Sequence, residues 1–273
     1  MRKITINLAA VAAFCIVVAS PALVSSSCAT PKTEQEDTTI IREDSGITAL
    51  KYSSPEVPAS IEFCGKTIDL SRFDRHERMD RELLAFTYMH STSLQMLKKA
   101  NRYFPIVEPI LKENGIPDDF KYLMVIESNM NPTARSSAGA AGLWQFMQGT
   151  GRDYGLEVNN NVDERYHIEK ATRAACRYLK DAYAKYKDWV AVAASYNAGQ
   201  ARIASQLAKQ DVDDSLDLQL VEETARYVYR ILAAKQLFNA PTTFGFRLRA
   251  SDLYPPIPVS YTHLRAHETD SYL

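Results

Sequence analysis

Cysteine and histidine are scarce in this chain of 273 residues, at four and five respectively, and none cluster at metal-ligand spacing. No metal site is expected, and no cofactor. Cys15 and Cys28 fall within and at the end of an N-terminal leader, leaving only Cys64 and Cys176 in the body. One pair cannot make a disulfide scaffold; it could form a single bridge in an oxidising compartment, but two buried free thiols are the expected state. Excess charge is also lacking: the net charge is −1, with no basic run interleaved with aromatics, which sets nucleic-acid binding aside. Internal repeats and convincing alternating strands are absent too. What is present is a 46% hydrophobic composition, enough for one good-sized core, and 15 tyrosines, whose faces suit sugar rings as well as ordinary cores.

The chain opens with Arg2 and Lys3, then an apolar run from Ile4 to about Ala19, then small residues up to Ser27. This is the pattern of an export signal, too short and wrongly flanked for a stable membrane span. Cys28 after three serines fits a lipoprotein cleavage site and a candidate lipid anchor, although Ser25 stands where a leucine is usual; a plain cleavable signal is the alternative. Either way the mature protein is expected outside the cytoplasm, in the periplasm or anchored in the cell envelope at the outer membrane. Residues 29–60 are polar and unpatterned, the composition of a flexible tether. From about residue 241 a linker is expected, and the last residues, from Val259 on, carry no usable pattern and suggest that a natural C-terminal region is missing. No wall-binding repeat follows the helical body.

Between these ends the periodicity predicts an all-α body over residues 61–240. Ile61 to Leu70 reads as a short strand or extended chain. Asp74 to Ala100 reads as one long helix with Leu83, Phe86, His90, Leu94 and Leu97 facing inward, broken near Asn101 and resumed over Phe104 to Leu111. A helix follows Pro117 and stops at Asn131-Pro132, since proline disfavours helical geometry in the residue before it. Further helices are expected from about Leu143, carrying Trp144, Gln145 and Met147 and ended by Gly149-Thr-Gly151 and Gly155, over Ile168 to Tyr186, over Trp189 to Tyr196 with Asp188 as N-cap and Gly199 as stop, and over Glu222 to Phe238. Asp211 to Asp214 is read as a solvated loop.

One residue breaks the pattern. Phe120, Leu123, Met124 and Glu127 fall at i, i+3, i+4 and i+7, one face of a helix, and the fourth is a carboxylic acid. Burial raises a carboxylate's pKa, so such an acid can hold a proton near neutrality and donate it. The plain alternative is a helix-end glutamate reaching water or an arginine such as Arg135.

Four short motifs follow in order: Glu127-Ser128, Gly142-Leu-Trp-Gln145, Ser195-Tyr-Asn-Ala-Gly199 and Glu223-Thr-x-x-Tyr227. Together they resemble the catalytic domain of the soluble lytic transglycosylases, a goose-type-lysozyme-like family, and most of all its membrane-bound branch. The resemblance covers roughly residues 61–240 and implies a lysozyme-like helical domain with a catalytic cleft. It implies a lyase acting on peptidoglycan glycan strands, with Glu127 as sole acid and then base, leaving 1,6-anhydromuramyl ends rather than consuming water. That departs from the two-carboxylate glycosidase scheme. A water-using muramidase on the same fold, with Asp153, Asp163 or Glu164 as second carboxylate, and a non-catalytic wall-binding protein are the rivals.

The resemblance also implies roles for other positions. Ser136 would contact the acetamido or peptide side of the sugar, or else is a loop-turn serine. Gln145 would line the cleft, and Met147 the sugar groove unless it is plain core. Tyr196 would bond or orient Glu127, Asn197 would bind an N-acetyl group, and Tyr227 would stand near the acid unless it is a core tyrosine. Trp144, Gln148 and Ser195 depart from the commonest residues of the family, which bears on cleft shape.

Overall fold

The computed structural model describes residues 54–257. The export signal, Cys28, most of the tether and the patternless C-terminal tail lie outside the described residues. The expected all-α class holds: eight α-helices and one small hairpin make up the regular structure of this stretch, with a few 3₁₀ turns. None of the described helices is long and apolar enough to cross a membrane.

Of the two readings of Ile61 to Leu70, strand or extended chain, the structure takes the strand and doubles it into a hairpin. Residues Ser60–Phe63 (β1) and Lys66–Asp69 (β2) pair antiparallel, with Ile61 opposite Ile68. The two-residue turn places Cys64 and Gly65 both at positive φ, 53° and 80°, as the twist of a tight hairpin requires. Ile61, Phe63 and Ile68 point to the core, and Phe63 packs on Phe120 at 5.9 Å between ring centroids. The strands are too short to show alternation against their polar neighbours. Cys64 and Cys176 are both unbridged, Cys176 buried and Cys64 half-buried.

Residues Phe73–Tyr88 form α1 and His90–Glu113 form α2, so the break falls at Met89 rather than near Asn101. Met89 leaves helical geometry at ψ 48°, and the buried Ser93 hydroxyl donates to the Phe86 carbonyl across the break at 2.6 Å. The interruption resets the helical phase. His90 and Leu94 therefore turn outward, and Ser93, Met96 and Leu97 take the inner face. Pro105 and Pro109 lie inside α2 without ending it; both are on its exposed side, where water can meet the carbonyls that lose a donor.

The central element is α3, Phe120–Ser128. It is buried nearly all round, including Tyr122, Val125 and Ile126, so its apolar surface is wider than the single stripe read from spacing. Its end is set earlier than Pro132: Asn129 and Met130 both adopt left-handed geometry at φ 49° and 56°. The expected helix from Leu143 is absent. Gln145 sits at φ 47°, which no right-handed helix admits, and Ala141 bridges to Phe146 instead; the short α4 covers Gln148–Asp153.

Ile168–Tyr186 (α5) and Trp189–Ala198 (α6) follow as read, with Asp188 accepting from the Val190 amide at 3.0 Å and Gly199 closing α6 at φ 87°. Gln200–Gln210 (α7) was not foreseen, because Gly199 both stops α6 and opens the next helix. Asp211 and Asp213 are exposed, but Asp214 is not a free loop residue: it binds Lys66 and Arg75 at 3.1 and 2.8 Å. Glu222–Asn239 (α8) packs against α1, α3 and α6. Packing continues past residue 240, where Phe244 and Phe246 are buried.

Candidate active site

Three elements converge on the end of α3. Glu127 lies in its last turn, Tyr196 and Asn197 in the last turn of α6, and Tyr227 in the second turn of α8. The Tyr227 hydroxyl donates to Glu127 Oε1 in a short hydrogen bond. Burial pushes the Glu127 carboxyl up to about 7; the Tyr227 bond and the Arg230 guanidinium oppose the rise, and the Glu223 carboxylate adds to it. Loss of hydration decides the sign, because it outweighs both the Tyr227 bond and the Arg230 charge. Arg135 has no part in this.

Burial, and then the charge of Glu127, also hold the Tyr196 and Tyr227 phenols protonated well above their ordinary range. Both are donors. Tyr196 donates not to Glu127 but to the Trp144 carbonyl, at 2.8 Å. Its ring completes an aromatic row, 5.1 Å from Tyr178 and 6.1 Å from Phe146 between centroids. The orienting bond expected of Tyr196 is thus made by Tyr227.

Beside this row, Gln145, Phe146, Met147, Tyr178, Tyr196 and Asn197 line a cavity of about 290 Å³. Met147 is exposed there rather than packed in the core. Gln145 donates its Nε2 to the carbonyls of Gly142 and Ala134 at 2.7 and 3.2 Å. Asn197 Oδ1 accepts from the Thr224 hydroxyl at 2.8 Å. Ser136 is outside this cluster; its hydroxyl accepts from the Ala140 amide at 3.0 Å, closing a turn of the loop.

The loop that carries Gln145 and Met147 has little regular structure, and a buried arginine holds it. Arg165 reaches the Gly139 carbonyl at 2.8 Å and the Phe146 carbonyl at 3.0 Å, and Asp163 clamps the guanidinium. The Trp144 indole is anchored from the other side by Thr172 at 2.9 Å. Arg165 and Thr224 are the residues that sequence reasoning missed. Asp163-x-Arg165 could have signalled a local ion pair, and Thr224 stands inside a motif that was already marked. Among the described residues no group of histidine, cysteine and carboxylate side chains could hold a metal ion.

The site thus sets an acid whose pKa burial raises near a cavity lined by aromatic and carboxamide side chains, on a helical scaffold. Residues 105–217 match the protein-family model described as "Transglycosylase SLT domain". The chain is similar to membrane-bound lytic murein transglycosylase D of Escherichia coli (strain K12), 30% identical over 181 residues, which are 64% of this chain and 39% of that protein. The chain thus spans well under half the length of this relative. Among solved structures, the lytic transglycosylase Slt of Pseudomonas aeruginosa aligns at TM-score 0.43 and 23% identity, over 56% of this chain and 26% of that one. The 70 kDa soluble lytic transglycosylase of Escherichia coli aligns at TM-score 0.46 and 20% identity, over 58% and 28%.

Proposed function

We propose that this protein cleaves the β-1,4 bond between N-acetylmuramic acid and N-acetylglucosamine in peptidoglycan without water, leaving a 1,6-anhydromuramyl end. The observation that carries the reading is Glu127, a carboxyl with its pKa raised to about 7 by burial and with Tyr227 fixing one oxygen. An acid in that range can start protonated and finish as a base. Glu127 first protonates the glycosidic oxygen as the bond to the muramyl anomeric carbon breaks. The resulting carboxylate then takes the proton of the muramyl 6-hydroxyl as that oxygen closes on the anomeric carbon. Proton and bond counts balance, and the enzyme returns to its starting form.

Met147, Gln145, Tyr196 and Asn197 form the sugar subsite on this reading, with Ser136 at the rim of the loop. The water-using alternative needs a second free carboxylate. Asp163 is engaged by Arg165, and Glu164 by Lys170 and the Glu157 amide, which disfavours both for that role. The catalytic unit is taken as residues 61–240 and works on the wall side of the cytoplasmic membrane; export by the leader, and Cys28 as lipid anchor, belong to the same reading.

The test is mass analysis of the products from purified peptidoglycan, wild type against Glu127→Gln. Anhydromuramyl ends, lost in the variant, are expected. Reducing ends would transfer the reading to a hydrolase, and no cleavage by folded wild type would reject it.

A further inference from the structure

Among the described residues, every arginine that the fold draws away from full contact with water has an acceptor, except one. Arg75 pairs with Asp214 and Asp217, Arg165 with Asp163, and Arg226 with Glu82, while Arg102 donates to the Pro255 carbonyl. Arg230 is half-buried, as Arg102 and Arg226 are. Yet among the described residues it has no hydrogen-bond acceptor and no carboxylate within ion-pairing distance. A guanidinium held partly out of water forgoes the bonds that its five donors could make, and a carboxylate matches its planar fork best.

The place of this cation is specific. Arg230 lies at i+3 from Tyr227 on α8, one turn beyond the phenol that holds Glu127. Its charge is felt at both Glu127 and Tyr227, although neither pairs with it. Glu223, two turns earlier on the same side of the helix, is exposed and leaves Arg230 unpaired as well. A peptidoglycan strand carries its own anion near such a site. N-acetylglucosamine is neutral, but the muramyl unit bears a 3-O-lactyl arm that ends in a carboxylate or continues into a stem peptide with carboxylates of its own. The arm leaves from C3, two ring atoms from the anomeric carbon at which the bond breaks.

We infer that Arg230 is a specificity-determining residue that binds a carboxylate on the lactyl arm of the muramyl unit, and so distinguishes muramyl from glucosaminyl units beside Glu127. The inference rests on the peptidoglycan reading of the site. It accounts for a cation that is kept beside the acid without a partner in the protein. Loss of the guanidinium removes the recognition of the arm and leaves the contacts to a neutral sugar chain as they were. Lysine keeps the charge but not the fork, and should keep part of the preference.

The experiment measures calorimetric affinity on Glu127→Gln protein, so that no turnover occurs, for three soluble chains. They are a β-1,4-linked N-acetylglucosamine hexasaccharide, muramyl-containing glycan oligosaccharides stripped of stem peptides, and the same oligosaccharides with their peptides. Adding Arg230→Gln is expected to weaken binding of muramyl chains about 10-fold and to leave the hexasaccharide unchanged, with Arg230→Lys in between. A loss seen with the stripped chains assigns the partner to the lactyl carboxylate; a loss confined to the peptide-bearing chains assigns it to the stem. Arg230→Met stands in for glutamine if melting shows that the glutamine variant does not fold. Equal loss for all three chains, or unchanged binding of both muramyl chains, would overturn the inference while leaving the glycan reading intact. A folded parent that binds none of the three would reject the glycan reading and the inference together.

Discussion

Tyr227 and Glu127, 100 residues apart in sequence, are joined by a hydrogen bond from phenol to carboxylate Oε1. The bond favours the charged form of Glu127 and so works against the burial that raises its pKa. Tyr227→Phe removes the donor and keeps the ring. The acid then titrates at higher pH, and the basic limb of the kcat profile moves up. A hydrogen bond to a charged group is worth about 1.5–3 kcal/mol, so kcat/KM on peptidoglycan should fall by roughly 10- to 100-fold. An unchanged profile would show that the bond is absent in solution.

Two further side chains on α8 bracket Glu127 with opposite signs. Glu223 raises its pKa and Arg230 lowers it. Glu223→Gln should shift the basic limb of the pH–rate profile to lower pH, and Arg230→Gln should shift it to higher pH. The diagnostic is the opposition: two variants on one helix moving one titration in contrary directions. Movement in the same direction would point to general disturbance of α8 rather than to charge.

The raised pKa of Glu127 also makes stability depend on pH. The folded-state value, about 7, lies above the ordinary carboxyl value of 4.5. Below about 4.5 both folded and unfolded forms hold the proton and no penalty exists. Between about 4.5 and 7 the unfolded form ionises while the folded form keeps its proton, so stability falls by up to about 3 kcal/mol, the loss being complete once pH has passed 7. Glu127→Gln escapes that loss while its side-chain oxygen still accepts from Tyr227. The variant's melting temperature should match wild type at pH 4 and exceed it by several degrees above pH 8, as followed by circular dichroism.

These electrostatics were partly legible in the sequence. Glu127 stood out because one helical face carried three apolar residues and an acid, and Tyr227 and Asn197 because their short motifs recur in order. A helix with a strong stripe, such as α5, or with a side-chain cap, such as α6, was readable for the same local reason. The failures share a different cause. Met89 breaks a continuous helical pattern through its backbone angles and a buried Ser93 bond, which no periodicity reports. Gln145 and Trp144 look helical in composition, yet their conformation is dictated by Arg165, Thr172 and the bridge to Ala141, all partners outside the segment. Which tyrosine reaches the acid depends on where α6 and α8 sit around α3, a tertiary fact.

Gly142 tests the claim that this loop is built from outside. It adopts φ +78°, and a Cβ there would lie 1.9 Å from the Arg165 carbonyl oxygen, a backbone atom with nowhere to move. Its amide donates to the Ala134 carbonyl at 2.9 Å, and its own carbonyl holds Gln145. Gly142→Ala must either strain the left-handed backbone against that clash or push residues 142–147 away from Arg165. Either path costs on the order of 3–5 kcal/mol and displaces Gln145 from the cavity. Gly139 in the same loop is the control: its φ is +88° but a Cβ would meet no atom within 4 Å. Gly139→Ala should cost only the backbone strain, about 1–2 kcal/mol. Chemical denaturation of both variants, with peptidoglycan cleavage measured alongside, distinguishes the two costs. Equal destabilisation at both positions would mean that φ alone governs the loop and that contact with Arg165 does not hold it in place.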